Sequence, residues 1–281
     1  MKIRTEPESN YKAVWINGKT LRIPLDHTQD ITELNYPEFY DISLGNKCVT
    51  GKCNYCYASG NPHGLRYDNI VEKAEQYFGT MNENQRPFQV AIGGESEPLE
   101  HPDFWQFCDY LQSIGIVPNY TTNGVLITQK QIDRTKQFCG GVAVTYHPHL
   151  TKFFYRAVDL LVENNVKTNI HIIISDKHSV DILEQLYERY NGRVDYFVLL
   201  PYMNVGFAAE HPREVDFAPL ERFLDGVYSN GNIAFGANFY EWLQDINKYD
   251  VGLYPPEILS KYLIMNDEME LCNNSFECVR V

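Results

Sequence analysis

The sequence predicts an α/β fold of about six βα units in series, with a β-hairpin before them and a cap after them. Three observations predict it. From Glu38 onward, short apolar β-rich runs alternate with amphipathic stretches of helical period. The runs recur at intervals of about 25–30 residues, the length of a βα repeat. Ahead of them, Asn17-Gly18 stands between two runs of alternating polarity, a strong two-residue hairpin signal.

In chain order, residues 11–25 form the hairpin and the polar stretch 26–37 leads to the main body. The six strands are expected at 38–44, 88–92, 117–122, 141–146, 168–174 and 195–200. The helices are expected at 70–84, 102–114, 129–137, 152–164, 179–191 and 217–229. Pro102-Asp103 is a suitable first-turn pair for the second helix. Alternation of this kind gives a parallel sheet. Six units fall short of the eight of a closed TIM barrel, so an incomplete curved barrel and a flat doubly wound sheet both fit. Either one places its ligand at the C-terminal ends of the strands. After about residue 231 the pattern weakens into an aromatic-rich segment with Pro255-Pro256, read as a cap over the sheet or the site. The expected divisions are therefore 1–37, 38–230 and 231–281.

Composition bounds the function. The 281 residues carry 24 Lys+Arg against 37 Asp+Glu, a net charge of −13, with 44% hydrophobic and 22% charged residues. That is ordinary for a soluble globular protein and excludes a disordered tail, a fibre and a membrane-spanning bundle. The acidic balance disfavours nucleic acid, whose phosphates need a positive field. No run of about eighteen apolar residues is present, and the opening MKIRTEPESNYK lacks an apolar signal core. A cytoplasmic protein with no membrane association is expected.

Seven cysteines are present, and three of them, Cys48, Cys53 and Cys56, fall within nine residues just after the first strand of the parallel series. Such crowding points to metal ligation rather than to bridging. Thiolates select soft metals and iron–sulfur clusters. With no fourth cysteine nearby, three thiolates hold three corners of a cube and leave one iron open. The competing reading is a zinc- or cluster-stabilised binding protein using Cys53 and Cys56 with Cys272 and Cys278. Cys272 and Cys278 are read as unrelated thiols in the cap, and Cys108 and Cys139 as ordinary core cysteines.

Further segments fall at successive strand ends. Ala91–Leu99 contains Gly93-Gly94, which let the backbone approach a ligand, followed by Glu95 and Glu97, whose carboxylates suit an ammonium group. Thr122-Asn123-Gly124 ends the third strand, His147 follows the fourth, Ser175 the fifth, and Leu200-Pro201 the sixth. Tyr146, Tyr202 and Tyr240 are candidates for the wall of a pocket.

On these residues, from about Phe39 to about Gly206, the sequence resembles the radical S-adenosylmethionine (radical SAM) superfamily. That family carries a Cys-x3-Cys-x2-Cys loop, often with an aromatic before the last cysteine, as Tyr55 stands here. The first gap in this chain is four residues, Val49 to Lys52, and Gly51 offers the freedom to absorb the extra one. The order of the GGEP-like segment is also altered, because Pro98 comes three residues after Glu95. The resemblance implies an incomplete (β/α)6-type TIM barrel. It implies a [4Fe–4S] cluster on Cys48, Cys53 and Cys56, and S-adenosylmethionine beside Gly93, Gly94, Glu95, Glu97, Thr122, Asn123, His147, Ser175 and Leu200. It further implies reductive cleavage of S-adenosylmethionine to a 5′-deoxyadenosyl radical that takes hydrogen from a substrate. The electron would come from a donor such as flavodoxin or ferredoxin. The substrate, a peptide or protein or else a small metabolite, is not readable, and no catalytic side chain is assigned. A relative that binds S-adenosylmethionine without cleaving it is the remaining alternative.

Overall fold

In the computed structural model, residues 1–48, 50, 53–249 and 255–278 are described, the side chains of Glu277 and Cys278 aside. Gly51, expected to absorb the extra loop residue, lies outside the described residues, as do Val49 and Lys52.

Lys2–Glu6 (β1), Tyr11–Ile16 (β2) and Lys19–Pro24 (β3) form a three-stranded antiparallel sheet in that order. The expected hairpin is β2–β3, closed by Ile16 opposite Lys19. Asn17 (φ 52°) and Gly18 (φ 86°) both take the left-handed conformation that a two-residue turn needs to match strand twist. The strand β1, which the sequence reading did not anticipate, pairs with β2.

The six βα units follow as expected. They are Phe39–Ser43 (β4), Ile70–Phe78 (α1), Gln89–Ile92 (β5), Phe104–Ser113 (α2), Val117–Thr122 (β6), Gln129–Phe138 (α3), Gly141–Thr145 (β7), Thr151–Glu163 (α4), Thr168–Ile174 (β8), Lys177–Tyr190 (α5), Tyr196–Pro201 (β9) and Ala218–Val227 (α6). Local chemistry supports them: α5, for example, starts at a capping box in which the Asp176 carboxylate accepts the Ser179 N–H at 2.9 Å. The segment after residue 231 adds Ile233–Phe235 (β10), Tyr240–Ile246 (α7), Pro256–Leu259 (α8), Ser260–Ile264 (β11), Leu271–Cys272 (β12) and Ser275–Cys278 (α9). Expected only as a cap, it also supplies strands to both edges of the sheet.

The nine-stranded order is β10-β9-β8-β7-β6-β5-β4-β11-β12, parallel throughout except for β12. The two edge strands do not pair with each other, so this is an incomplete barrel and not a closed one. Alternation along each strand separates two faces. Tyr40, Ile42, Val90, Ile92, Val142, Val144, Ile170 and Ile172 are buried among the helices. The alternate residues face a lumen of about 980 Å³. Barrel interiors are ordinarily filled by large side chains. Here Ala91, Gly93, Gly141 and Ala143 face inward, and their small size leaves the lumen hollow.

The N-terminal sheet closes the end of the lumen where the strands begin. The Trp15 ring stacks on Phe88 at 6.3 Å, and Lys167 Nζ donates to the Asn17 carbonyl at 3.0 Å. The opposite end, where the strands finish, carries the cysteine loop. No described helix is long and apolar enough to cross a membrane.

Candidate functional site

The loop from β4 to α1 carries Cys48, Cys53 and Cys56 onto the wall of the lumen, and none of the three is in a disulfide. Backbone bonds hold it in place. Cys56 N–H donates to the Cys53 carbonyl at 3.0 Å, and Phe207 N–H, beyond β9, donates to the Cys56 carbonyl at 3.0 Å. Gly206 permits that approach: a Cβ there would lie 2.1 Å from the Tyr57 carbonyl oxygen. Gly60 brings the loop's return against β5, since a Cβ there would lie 2.7 Å from the Glu95 carbonyl oxygen.

A chain of hydrogen bonds joins the cysteine loop to the ends of β5 and β6. Glu97, 3% exposed, accepts from the Thr122 hydroxyl at 2.8 Å and from the Asn123 N–H at 2.9 Å. Asn123 Nδ2 donates to Thr50 Oγ1 at 2.7 Å, and Thr50 Oγ1 lies 3.4 Å from Cys48 Sγ. Burial pushes the Glu97 carboxyl up to about 7 against these bonds, which favour its ionised form. Glu95 accepts from Ser43 Oγ at 3.1 Å, and burial raises its carboxyl as well. Gly93 (φ 153°) and Gly94 (φ 86°) turn the chain between β5 and these carboxylates. A Cβ on Gly94 would lie 2.7 Å from the Tyr57 hydroxyl.

On the other flank, Cys53 Sγ lies 3.6 Å from His149 Nε2 and 3.9 Å from His147 Nδ1. The Tyr55 hydroxyl lies 2.9 Å from the same His147 nitrogen. Burial, with His149 adding to it, pulls the His147 imidazole down to about 4. Burial also pushes the Cys48 thiol up.

Eleven of the twelve residues singled out from sequence therefore line one cavity: the three cysteines, Gly93, Gly94, Glu95, Glu97, Thr122, Asn123, His147 and Leu200. Ser175 does not. It is buried behind the end of β8, where its hydroxyl faces Arg213 Nη1 at 3.4 Å. Of the three tyrosines, Tyr202 lines the cavity, whereas Tyr146 and Tyr240 do not. Tyr146 packs edge-on against Phe154 among the helices. Cys108 and Cys139 are core thiols 3.9 Å apart. Cys272, expected as an unrelated thiol, is disulfide-bonded, and the Cys278 side chain lies outside the described residues.

The structure adds residues that the sequence reading passed over. Thr50 and His149 touch the cysteines. Asp41 on β4 and His171 on β8 face the lumen. Both are ionisable residues inside apolar runs, and that anomaly was visible in the sequence. Asp41 is open to the lumen, and enclosure by its walls raises the carboxyl to about 7 and lowers the His171 imidazole to about 4.

The donor chemistry fits an iron–sulfur cluster: three cysteines of one loop, none in a disulfide, share a cavity wall with room beside them. Among the described residues, no three His, Cys, Asp or Glu side chains already stand at metal-ligating spacing. Cluster binding would thus draw the three thiolates together.

No protein-family model and no curated protein matches this sequence. Solved structures do. SuiB of Streptococcus suis bound to the precursor peptide SuiA matches with a TM-score of 0.68 at 15% identity, over 89% of this chain and 62% of that one. SuiB bound to S-adenosylmethionine matches at 0.66 and 15%, over 86% and 61%. A structure of anSMEcpe with AdoMet and the Cp18Cys peptide matches at 0.54 and 13%, over 81% and 72%. The chain thus spans about three-fifths of the length of SuiB. The fold is that of the radical SAM enzymes, a partial TIM barrel.

Proposed function

We propose that this chain is a radical SAM enzyme, working in the cytoplasm, that cleaves S-adenosylmethionine reductively and abstracts hydrogen from a peptide or small-molecule substrate. One observation carries the proposal. Three cysteines of a single loop, none in a disulfide, stand at the finishing end of an open barrel, and Cys48 is tied through Thr50 and Asn123 to the buried Glu97. A [4Fe–4S] cluster on Cys48, Cys53 and Cys56 would supply the electron for that cleavage, received from a donor such as flavodoxin or ferredoxin.

The chain's own residues do the rest. Glu95 and Glu97 offer carboxylates to the ammonium group of S-adenosylmethionine, and the turn at Gly93-Gly94 keeps side chains out of its way. Thr122 and Asn123 hold Glu97 in orientation. The N-terminal sheet seals the far end of the lumen, which helps keep water from a reactive intermediate. Two neighbours in fold were solved with peptides, SuiB with SuiA and anSMEcpe with Cp18Cys, and this favours a peptide substrate.

The zinc alternative needs Cys272 as a thiolate, and its disulfide withholds that ligand. The test is anaerobic reconstitution with iron and sulfide, followed by dithionite and S-adenosylmethionine. Formation of 5′-deoxyadenosine is expected. Its absence, with S-adenosylmethionine bound intact, marks a non-cleaving relative. Cys48→Ala should abolish iron binding and Cys272→Ala should spare it; equal loss from both would return the zinc reading.

A further inference from the structure

Asp41 lies one lumen layer below the strand ends, two residues before β4 finishes. Its neighbours Tyr40 and Ile42 are 1% and 0% exposed among the helices, so Asp41 points the other way, into the cavity. Among the described residues its carboxylate has no hydrogen-bond or ion-pair partner. Among the described residues that line the cavity, no lysine is bonded to it. Of the lysines lining the cavity, Lys261 is paired with Glu33 at 2.7 Å, Lys167 is held by Asn17, and Lys19 belongs to the hairpin at the far end. Glu95 and Glu97, by contrast, are hydrogen-bonded and tied to the cysteine side of the site.

His171 faces the same space from β8, with three strands between it and β4, and it too has no hydrogen-bond or ion-pair partner among the described residues. Between them, β5 and β7 present the small Ala91, Gly93, Gly141 and Ala143 together with Gln89 and Thr145, and β6 presents Asn119 and Thr121. The lumen is therefore hollow where a carboxylate and an imidazole look inward without partners. Asp41 is exposed to this space and His171 half-buried beside it, so a ligand in the lumen reaches both, and a carboxylate facing a cavity suits a charge-assisted hydrogen bond.

We infer that the reacting part of the substrate enters this hollow carrying a protonated amine, which Asp41 receives while His171 lines the opposite wall. The inference rests on the radical SAM reading and adds a substrate class to it: an amine-bearing side chain of a peptide, or a small alkylamine. Asp41 is then a specificity-determining residue.

The test is calorimetric titration of the full chain without cluster or S-adenosylmethionine, using pentylammonium, pentanol and pentanoate. Failure to form 5′-deoxyadenosine would bear only on the radical reading, because this binding is measured apart from it. Pentylammonium should bind at least about tenfold more tightly than either isostere, the worth of one charge-assisted hydrogen bond. Asp41→Asn should remove that preference, and Asp41→Ser serves if the amide variant fails to fold. Asp245→Asn, on α7 outside the cavity, should keep it. A lysine peptide capped at both ends separates the sources: tighter binding than pentylammonium assigns the amine to a peptide, weaker binding to a small molecule, and either result supports the inference. Equal binding of the three probes, no binding at all, or a preference that survives in Asp41→Asn overturns it.

Discussion

At Gly60 a side chain has nowhere to go. Its Cβ would meet the Glu95 carbonyl oxygen at 2.7 Å and lie 3.8 Å from Cys56 Sγ. The obstacle is backbone, so relief requires the cysteine loop to move. Gly60→Ala should lower unfolding stability by about 1–3 kcal/mol in a urea titration and reduce the iron bound after reconstitution. Asp41 makes a second residue-scale prediction. Its carboxyl is raised to about 7 in the fold, against an ordinary value near 3.8. Between these values the folded chain keeps a proton that the unfolded chain releases. The contribution of Asp41 to stability is therefore fully present below about pH 4 and lost as pH rises toward 7. Asp41→Asn removes that dependence, so the stability of the variant relative to the parent should grow from pH 4 to pH 7.5. Glu97 and His171 titrate alike in both proteins and cancel in the difference. A constant difference across that range would show the carboxyl to be hydrated. The cysteines, Gly93 and Glu97 were legible in the sequence because their chemistry is carried by residue type and spacing. Asp41 and His171 were not placed, because which face of a strand becomes lumen depends on the curvature of the whole sheet.

The elements divide by the same logic. The six βα units were legible because each has a strand of four to seven residues and a helix long enough to show its period. The strand β10 has three residues and β12 has two, too short for any alternation to register. In β11, Ser260 and Lys261 precede Tyr262–Ile264, and only the pairing with β4 makes a strand of them. Tertiary pairing overrides weak local preference at these edges. The loop between β4 and α1 makes an element-scale prediction, since Thr50 joins Cys48 to Asn123 at the end of β6. Thr50→Val keeps the shape and removes the hydroxyl. Global stability should fall by no more than about 1–2 kcal/mol, the cost of leaving Asn123 Nδ2 without a partner. Iron retained after desalting should fall by much more than that small loss of stability explains. Iron retention equal to the parent's would mean that Thr50 does not position the loop.

At the scale of the molecule, the question is whether residues 1–37, expected as an N-terminal hairpin extension, unfold separately from the barrel. The contacts of Glu38 argue that they do not. This carboxylate, in a residue 4% exposed, accepts from the Tyr11 hydroxyl of β2 at 2.6 Å and from Arg22 Nε of β3 at 2.9 Å. Its backbone N–H donates to the Leu259 carbonyl of α8, and its own carbonyl accepts from the Phe88 N–H at the start of β5. One residue therefore joins the N-terminal sheet, the barrel and the C-terminal segment. Tyr11, Ala13, Ile31, Leu34, Phe88 and Leu259 make a small apolar core around the same junction. Glu38→Ala would leave a buried phenol and a half-buried guanidinium without their shared acceptor, at a cost on the order of 3 kcal/mol. If the sheet and barrel unfold together, that cost moves a single urea transition, seen identically by tryptophan fluorescence, in which Trp15 reports on the sheet, and by far-UV circular dichroism, in which the helices report on the barrel. If the sheet is an independent module, the Trp15 part of the fluorescence change moves to lower urea, while the part from Trp105 on α2 and Trp242 on α7 stays with the helical transition. Coincident movement is the expected result, because the hydrogen bonds of Glu38 and the apolar core around it both cross the boundary drawn at residue 37.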